Sequence, residues 1–392
     1  MSISKTKQAS TRAWRWAVLT MFFVNGAIMA NWVSRIPQIQ TTLAMSDGTL
    51  GLVLLWLAVG VLVALSMAGG LIARFGSRTV TIGGALLLAA TMLPLGMMPN
   101  PPALSFNLFL FGGAMSLMDV AMNAQGVGVE KTLKRPVMSS FHAAYSIGGF
   151  VGAMMGAAIA SLGIAPNLHF VMVAILFSIV TLLAAPALQR IETPDRSAPS
   201  EPVFRLPDRI IWPIGAVAFC SAIGEGAMSD WSGVYLKSVV GTTAAAAAYG
   251  YAAFSLTMTV GRLMGDYLTT RSSPALLVRV GGAIASLGVL LAILVPQVGP
   301  VLLGFAAVGA GLSIVVPLAF SVAGNVPGLP SGAAIAGVAT IGYAGFLAGP
   351  PIIGLLAELT SLRIALLVVM LLTGTLIFSG KSMQLKTPTA ES

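Results

Sequence analysis

Residues 227–234 read AMSDWSGV, and residues 28–35 read IMANWVSR. The two stretches share a methionine, an asparagine or aspartate, and a tryptophan in the same order, about 200 residues apart. Two pairs of glycines recur at nearly the same offset: Gly60 with Gly261, and Gly149 with Gly345. Because a recurring offset indicates repeated structural units, the chain is predicted to consist of two related halves.

The composition indicates a protein that spans a membrane. Of the 392 residues, 57% are hydrophobic and only 8% are charged, a balance that soluble globular domains do not show. Apolar runs of about 20 residues are long enough for helices to cross the hydrocarbon core, and their continuity excludes a β-barrel. We predict twelve spans: residues 15–36, 49–72, 78–98, 104–129, 137–161, 167–187, 210–236, 243–268, 274–296, 299–322, 332–357 and 361–380.

The basic residues indicate the orientation of these spans. All but three of the 21 Lys and Arg residues fall on one side of the predicted membrane, and the exceptions are Arg35, Lys237 and Arg363. Under the positive-inside rule, both termini are predicted to be cytoplasmic. The first apolar run lacks a small-residue cleavage site, so we interpret it as a retained helix. The net charge of +9 then reflects topology, and we expect no nucleic acid partner.

The sequence does not indicate a catalytic or cofactor site. It contains one cysteine, Cys220, and two histidines, His142 and His169, which are too few and too far apart for a metal site. It contains no phosphate-binding glycine loop with a lysine, which argues against direct use of ATP. We therefore expect no enzymatic activity, no metal and no cofactor.

The two halves are predicted to be separate helical bundles joined by a linker. The stretch at residues 190–209 is rich in proline and in charges of both signs, as expected of a solvated linker. The N-terminal six-helix bundle would then comprise residues 1–189, and the C-terminal six-helix bundle residues 210–392. Parallel repeats of this kind are common in transporters.

The loop after the second predicted span carries a distinctive pattern. It reads GLIARFGSR at residues 70–78 and follows another glycine. The pattern resembles the signature between helices two and three of the major facilitator superfamily. Ala73 stands where that signature has an acid, and four residues fit it: Gly69, Arg74, Gly76 and Arg78. The stretches NWVSRIP, MDVAMNAQGVGVE, GAMSDW and GYAGFLAGPPIIG look similar to a sugar-permease-like bacterial branch of YbjJ and MosC proteins.

This resemblance covers nearly the whole chain and implies the fold and activity of the superfamily. The implied fold is an all-α integral membrane protein with 12 transmembrane helices in two six-helix, pseudo-symmetric halves. The implied activity is secondary active transport by alternating access in a bacterial inner membrane, with helices 1, 4, 7 and 10 lining the cavity. The four signature residues would act in gating. Arg262 and Asp266, four residues apart, are predicted to pair at the inner gate as well.

Three acidic residues inside predicted spans are candidates for proton coupling: Asp119, Glu225 and Asp230. A charged side chain at mid-span costs about 3 kcal/mol or more unless it faces a cavity or a partner, so we expect a functional role. Asp119 shares one helical face with other small or polar residues: Gly112, Ser116, Asn123, Gly126 and Glu130. A helix-packing face with a neutral Asp119 is the alternative.

The fifth predicted span adds two further candidates. His142 can exchange a proton near neutral pH and is a proton-coupling candidate, and a hydrogen-bonded structural histidine is the alternative. Tyr145, three residues later on the same face, is a substrate-binding candidate. The same face continues as glycines that we expect to pack against another helix: Gly149, Gly152 and Gly156.

The other substrate-binding candidates are Asn31, Arg35, Asn123 and Trp231. A buried arginine needs a carboxylate or an anionic ligand, although Arg35 at a span end could also reach water. Trp231 could stack on a sugar or anchor its helix at the membrane interface. Asp230 would pair with Arg35, Lys237 or a backbone donor, whereas Glu225 would line the cavity with the serines on its own face.

The sequence as a whole predicts a proton-coupled transporter of a small polar solute, such as a sugar, a polyol or a derivative. Its expected partners are that solute, protons and membrane lipids, and it is expected to act as a monomer. Two alternatives stay open. One is a proton-antiport exporter of drugs or amphipathic metabolites, and the other is a membrane sensor that uses this fold without transport.

Overall fold

The structure is a computed structural model that describes residues 2–134, 137–190 and 208–383, with side chains from residue 11 onward except that of Asp266. Over these ranges the chain is helical and contains no strand. Most of the predicted linker at residues 190–209 lies outside the described residues.

The first half of the described chain forms seven α-helices: α1 (Ser2–Val33), α2 (Ile36–Thr42), α3 (Asp47–Phe75), α4 (Ser77–Met92), α5 (Pro101–Leu133), α6 (Met138–Ser161) and α7 (Pro166–Ala184). The second half forms eight: α8 (Trp212–Ser238), α9 (Ala244–Leu263), α10 (Gly265–Arg271), α11 (Pro274–Leu294), α12 (Val298–Leu312), α13 (Val315–Gly324), α14 (Ser331–Leu359) and α15 (Leu362–Thr375).

Helix starts and breaks follow from local sequence. The Asn100 side chain accepts a hydrogen bond from the backbone nitrogen of Ala103, and two prolines then open α5. Pro37 lies in the first turn of α2, so the first span is interrupted between Val33 and Ile36. The tenth span is likewise divided into α12 and α13 just before Pro317.

The all-helical membrane fold predicted from the composition is confirmed. Ten segments of the described chain are long and apolar enough to cross a membrane, and they coincide with ten of the twelve predicted spans. The predicted eighth span corresponds to α9, which is not among these ten. The predicted twelfth span corresponds to α15, which is a shorter apolar helix of 14 residues.

The helices group into two compact units. The first contains the chain up to Met45, then Val53 onward through α7, together with Thr243–Ala252. The second contains Ser46–Leu52, α8, and the chain from Ala253 through α15. The first turns of α3 and of α9 are therefore grouped apart from the rest of their helices. The predicted boundaries at 189 and 210 stay predictions.

Within the first unit, α1 and α6 cross with their backbones in close contact. A Cβ atom at Gly26 would overlap the carbonyl oxygen of Tyr145, and one at Gly148 would overlap the carbonyl oxygen of Phe23. Gly152 also lies close to the backbone of Ala27. The glycine face predicted for the fifth span is thus the surface that packs against α1.

Within the second unit, α8 and α14 make the corresponding contact. A Cβ at Gly345 would lie 2.7 Å from the carbonyl oxygen of Phe219. Gly345 is the repeat partner of Gly149, so the sequence repeat corresponds to a repeated helix crossing. In the same unit, α11 and α12 approach through Gly281 and Gly311, where each glycine faces the carbonyl oxygen of the other.

We predict that Gly148→Ala lowers the apparent melting temperature of the purified protein in detergent. The added methyl group would overlap the Phe23 carbonyl, and separating α1 from α6 should cost about 1–3 kcal/mol. Gly70→Ala is the matched control, because a Cβ at Gly70 would meet nothing within 4 Å. An unchanged melting temperature for Gly148→Ala would contradict the close crossing.

Candidate functional site

Asp119 and Asn123 form a pair on one face of α5, as their spacing predicts. The Asn123 side-chain nitrogen donates to Asp119 Oδ1 at 3.2 Å and to the Asp119 backbone oxygen at 2.9 Å. Both side chains are half-buried, and within the described chain no cation lies within ion-pair distance of Asp119. The pair therefore presents a carboxyl group and an amide oxygen that are partly accessible.

The rest of this α5 face has structural roles. Gly112 allows close packing against the backbone of Leu57 on α3, and Ser116 is buried. At the far end, the Glu130 carboxylate accepts hydrogen bonds from the backbone nitrogens of Val137 at 2.7 Å and Met138 at 2.9 Å. Glu130 thereby fixes the start of α6. Asp119 and Asn123 are left as the chemically available part of the face.

Glu225 on α8 lies between a hydroxyl and a guanidinium group. Ser221 donates to Glu225 Oε1 at 3.1 Å, which agrees with the shared face predicted for these two residues. Arg262 of α9 places Nη2 3.6 Å from Glu225 Oε2. Arg262 was predicted to pair with Asp266, whose side chain lies outside the described residues, and its contact with Glu225 was not predicted.

Asp230, five residues beyond Glu225, has no hydrogen bond or ion pair to the described residues. Arg35, one of its predicted partners, donates within the first unit to His169, Gln38 and Ile164, and its pairing with Asp230 stays a prediction. The alternative partner Lys237 is exposed and makes no ion pair to the described chain. Asp230 is half-buried, and of the three acids predicted within spans it has the least compensation from described residues.

Trp231 is fully buried within the second unit. Its side chain is 0% exposed, and its indole nitrogen has no partner among the described residues. The ring has no open face in this structure, and stacking on a sugar and anchoring at a membrane interface both stay predictions. Trp32, its repeat partner, is likewise buried with an unpartnered indole nitrogen and packs against Phe170.

Arg35 is the centre of a buried polar network in the first unit. The side chain is only 1% exposed. Its Nε donates to His169 Nδ1 at 2.8 Å, its Nη1 to Gln38 Oε1 at 2.7 Å, and its Nη2 to the backbone oxygen of Ile164 at 3.0 Å. All three acceptors are neutral groups, so neither the predicted carboxylate nor a route to water satisfies this arginine.

Asn31 completes the network. Because His169 Nδ1 accepts from Arg35, the proton of the neutral ring is on Nε2, which donates to Asn31 Oδ1 at 2.8 Å. The Asn31 amide nitrogen in turn donates to the backbone oxygen of Ala27 at 2.8 Å. The structure therefore places Asn31 and Arg35 in a fully buried brace between α1, α2 and α7.

His142 and Tyr145 lie on the part of α6 that is more accessible. His142 is exposed, and its ring meets the Phe22 ring edge-on at a centroid distance of 5.3 Å. Tyr145 is half-buried one turn away. This pair of side chains is therefore open enough to exchange a proton or to contact a solute.

The loop between α3 and α4 begins α4 with a left-handed residue. Gly76 has a φ angle of +79°, which a residue with a side chain rarely adopts. Arg78 donates to the backbone oxygen of Ala185 from Nε at 3.4 Å and from Nη2 at 3.3 Å. Arg74 is exposed, and a Cβ at Gly69 would meet open space. The loop geometry thus gives a structural reason for Gly76, while the gating roles stay predictions.

Two buried polar residues of the first unit were missed by sequence analysis. One is His169, which the sequence offered only as a poor metal ligand. The other is Gln125, which accepts from Trp14 Nε1 at 2.6 Å and donates to Ser77 Oγ and the Gln189 backbone oxygen, both at 2.8 Å. A lone polar residue in an apolar run was the available signal, but it does not reveal the partner.

Comparison with known sequences agrees with this fold. A sequence model of the Major Facilitator Superfamily matches residues 17–329. The chain is 36% identical over 377 residues to an MFS-type transporter of Yersinia pestis, covering 96% of both chains. It is 38% identical over 358 residues to a transporter of Sinorhizobium fredii, with 91% of this chain and 94% of that one covered. It is also 32% identical over 353 residues to the membrane protein MosC of Rhizobium meliloti, with 90% and 85% covered.

Solved structures show the same fold at low sequence identity. A mutant of the nucleoside transporter NupG superposes with a TM-score of 0.79 at 13% identity, covering 94% of this chain and 99% of that one. A bacterial homologue of the human lysosomal transporter Spinster, in an inward-facing and occupied conformation, gives a TM-score of 0.67 at 14% identity and covers 94% and 95%. At such identity the likeness concerns the fold alone.

We predict that His169→Phe destabilises the protein although it keeps an aromatic ring. The change would leave Arg35 Nε and Asn31 Oδ1 buried without partners, at about 1–3 kcal/mol for each group. The apparent melting temperature in detergent should fall clearly, whereas His142→Phe, the same change at an exposed position, should shift it little. Similar shifts for the two variants would argue against the buried brace.

Proposed function

Because this chain belongs to the major facilitator superfamily and is a non-enzymatic membrane transporter, we propose that it is proton-coupled and moves a small polar solute, such as a sugar, a polyol or a derivative. It works by alternating access in a bacterial inner membrane, with both termini in the cytoplasm and as a monomer. The observation that carries this proposal is the Asp119–Asn123 pair, a partly accessible acid within a span.

Asp119 is suited to bind and release a proton. A carboxylate inside a span is costly unless a partner or water compensates it, and its compensation in the described chain comes from the Asn123 amide rather than from a cation. Protonation of Asp119 therefore removes a negative charge that no cation in the described chain balances. Deprotonation leaves an anion that a solute hydroxyl can stabilise as a hydrogen-bond donor. Such an exchange couples proton occupancy to solute occupancy.

Glu225 offers a second protonation site with a different compensation. Its charge faces Arg262 at 3.6 Å, and its other oxygen accepts from Ser221. A proton on Glu225 would remove the negative charge that attracts Arg262 and would weaken the contact between α8 and α9. Glu225 is therefore proposed as the residue through which proton binding changes the packing of the second unit.

The polar groups proposed to bind the solute are Asn123 and Tyr145, with His142 as an accessory proton carrier. Asn123 provides an amide oxygen, and Tyr145 provides a phenolic hydroxyl, both on half-buried side chains. These neutral donors and acceptors suit hydroxyl groups. Asn31, Arg35 and Trp231 are fully buried, so the proposal does not include them as solute ligands.

We predict that Asp119→Asn and Glu225→Gln keep solute binding but lose accumulation driven by a pH gradient. Neither amide can carry the transferred proton, yet both preserve side-chain shape. Uptake should be measured in proteoliposomes with and without an imposed pH gradient, and gradient-driven accumulation should fall at least about tenfold. Asp208→Asn, which alters an exposed carboxylate outside the spans, is the matched control and should behave as wild type.

Two results would reject the coupling mechanism. Undiminished gradient-driven accumulation in both variants would show that neither acid carries the proton. Solute flux that is equally fast with and without a gradient in the wild-type protein would show facilitated diffusion instead.

The solute class can be tested by thermal shift of the purified protein against sugars, polyols, amino acids and amphipathic drugs. A ligand that binds only the folded state raises the apparent melting temperature. We predict stabilisation by one or more sugars or polyols and none by the drugs. Stabilisation by drugs alone would favour the exporter, and a bound ligand without measurable flux would favour the sensor.

A further inference from the structure

A small cavity with two arginines lies at one end of the first unit. Its volume is about 270 Å³, and it is lined by Arg78, Thr79, Ile82, Gly83 and Arg190. Arg78 is the second residue of the span Ser77–Met97, and Arg190 follows the end of the span Pro166–Ala187. The cavity is therefore at the boundary between membrane-spanning helix and polar surroundings.

We propose that this cavity binds the phosphate of an anionic phospholipid headgroup. The described residues that line it include no acid, so none of them neutralises the two guanidinium groups. Arginine presents several fixed N–H donors that match phosphate oxygens in bidentate geometry. Basic pockets at the ends of membrane-spanning helices are suited to anionic headgroups for this reason.

Each polar side chain that lines the cavity has a donor group available to a phosphate oxygen. Arg190 is exposed and makes no hydrogen bond or ion pair to the described part of the chain. Arg78 holds the Ala185 backbone oxygen through Nε and Nη2, which leaves its Nη1 edge for another acceptor. Thr79 is exposed and provides a hydroxyl beside them. Two positive groups and one neutral donor thus face a single cavity.

The start of α4 adds to the attraction for an anion. Gly76 has no side chain to cap the helix, and no side-chain hydrogen bond caps its first turn. The first backbone N–H groups of a helix have no acceptors within the helix and carry a partial positive charge. Here they support a site that the arginines and the cavity define.

Exposed apolar side chains on the chain segments that precede the two arginines favour a lipid over a free anion. Leu183 at the end of α7 is 76% exposed, and Leu182 and Ile179 on the same helix are also exposed. Phe75, just before α4, is exposed as well. A headgroup in the cavity would leave its acyl chains against such side chains, which a soluble phosphate cannot use. The bound lipid would also link the start of α4 to the end of α7.

Gly83 permits a test that leaves the protein packing intact. A Cβ at Gly83 would meet nothing within 4 Å, so Gly83→Leu should fill the cavity without displacing another group. Gly70→Leu is the matched control, because Gly70 is also an exposed helical glycine with open space around it. Arg190→Ala removes one guanidinium group, and Arg12→Ala removes an exposed arginine elsewhere in the first unit.

The experiment is a titration of delipidated, detergent-purified protein with phosphatidylglycerol, phosphatidylcholine or inorganic phosphate. Binding is read by native mass spectrometry and by thermal shift. We expect phosphatidylglycerol to bind and to raise the melting temperature, and phosphatidylcholine not to. Arg190→Ala should weaken this binding at least about tenfold, as expected for loss of a charged hydrogen bond. Gly83→Leu should weaken it at least as much, because its side chain occupies the cavity. The two control variants should bind as wild type does.

Each contrary result overturns the proposal. Equal stabilisation by inorganic phosphate would identify a site for a soluble anion and not for a lipid. Equal binding of phosphatidylcholine would show that the cavity does not select an anionic headgroup. Equal weakening by Arg12→Ala would indicate general charge attraction, and full binding by both Gly83→Leu and Arg190→Ala would place the lipid elsewhere.

Discussion

Direct backbone contact between helices at glycines is the constraint on which the rest of this structure depends. In lipid, the burial of apolar side chains provides little driving force for helix association. Close packing at small residues therefore supplies much of the attraction between helices. Gly26 and Gly148 bring α1 against α6, and Gly345 does the same for α14 against α8. These crossings fix the rotation of α1 and α8 about their axes. That rotation then determines which polar residues are buried and which are accessible.

Three charged residues inside the spans, Arg35, Glu225 and Asp119, are compensated in different ways. Arg35 is held by neutral acceptors from His169, Gln38 and a backbone carbonyl, which makes it a permanent structural cation. Glu225 faces an opposite charge on Arg262. Asp119 accepts a side-chain hydrogen bond from the amide of Asn123 and faces no cation among the described residues. A group that is fully satisfied stiffens the bundle, whereas a group that is incompletely compensated can change its charge, and this contrast separates structural residues from candidates for coupling.

Much of the architecture could be predicted because it depends on composition and short spacings. Hydrophobic runs of sufficient length indicate spans wherever they occur in the chain. Spacings of three and four residues place groups on one helical face, which is why the Asp119–Asn123 pair and the Ser221–Glu225 contact were both foreseen. Pro37 accounts for the break after α1 by an equally local effect. The repeat at residues 28–35 and 227–234 predicted two related halves, and the α1–α6 and α8–α14 crossings agree with it.

The sequence by itself therefore determined the membrane fold, the repeat and the polar faces of individual helices. Only the tertiary structure decided which of those polar groups meet: Arg35 with His169, 134 residues later, Glu225 with Arg262, and Gln125 with Trp14. It also decided that Trp32 and Trp231 are buried, although they mark the repeat most clearly. The physical reason is that spacing fixes the direction of a side chain about its own helix axis. Which helix lies on that side depends on packing between segments that are distant in the sequence.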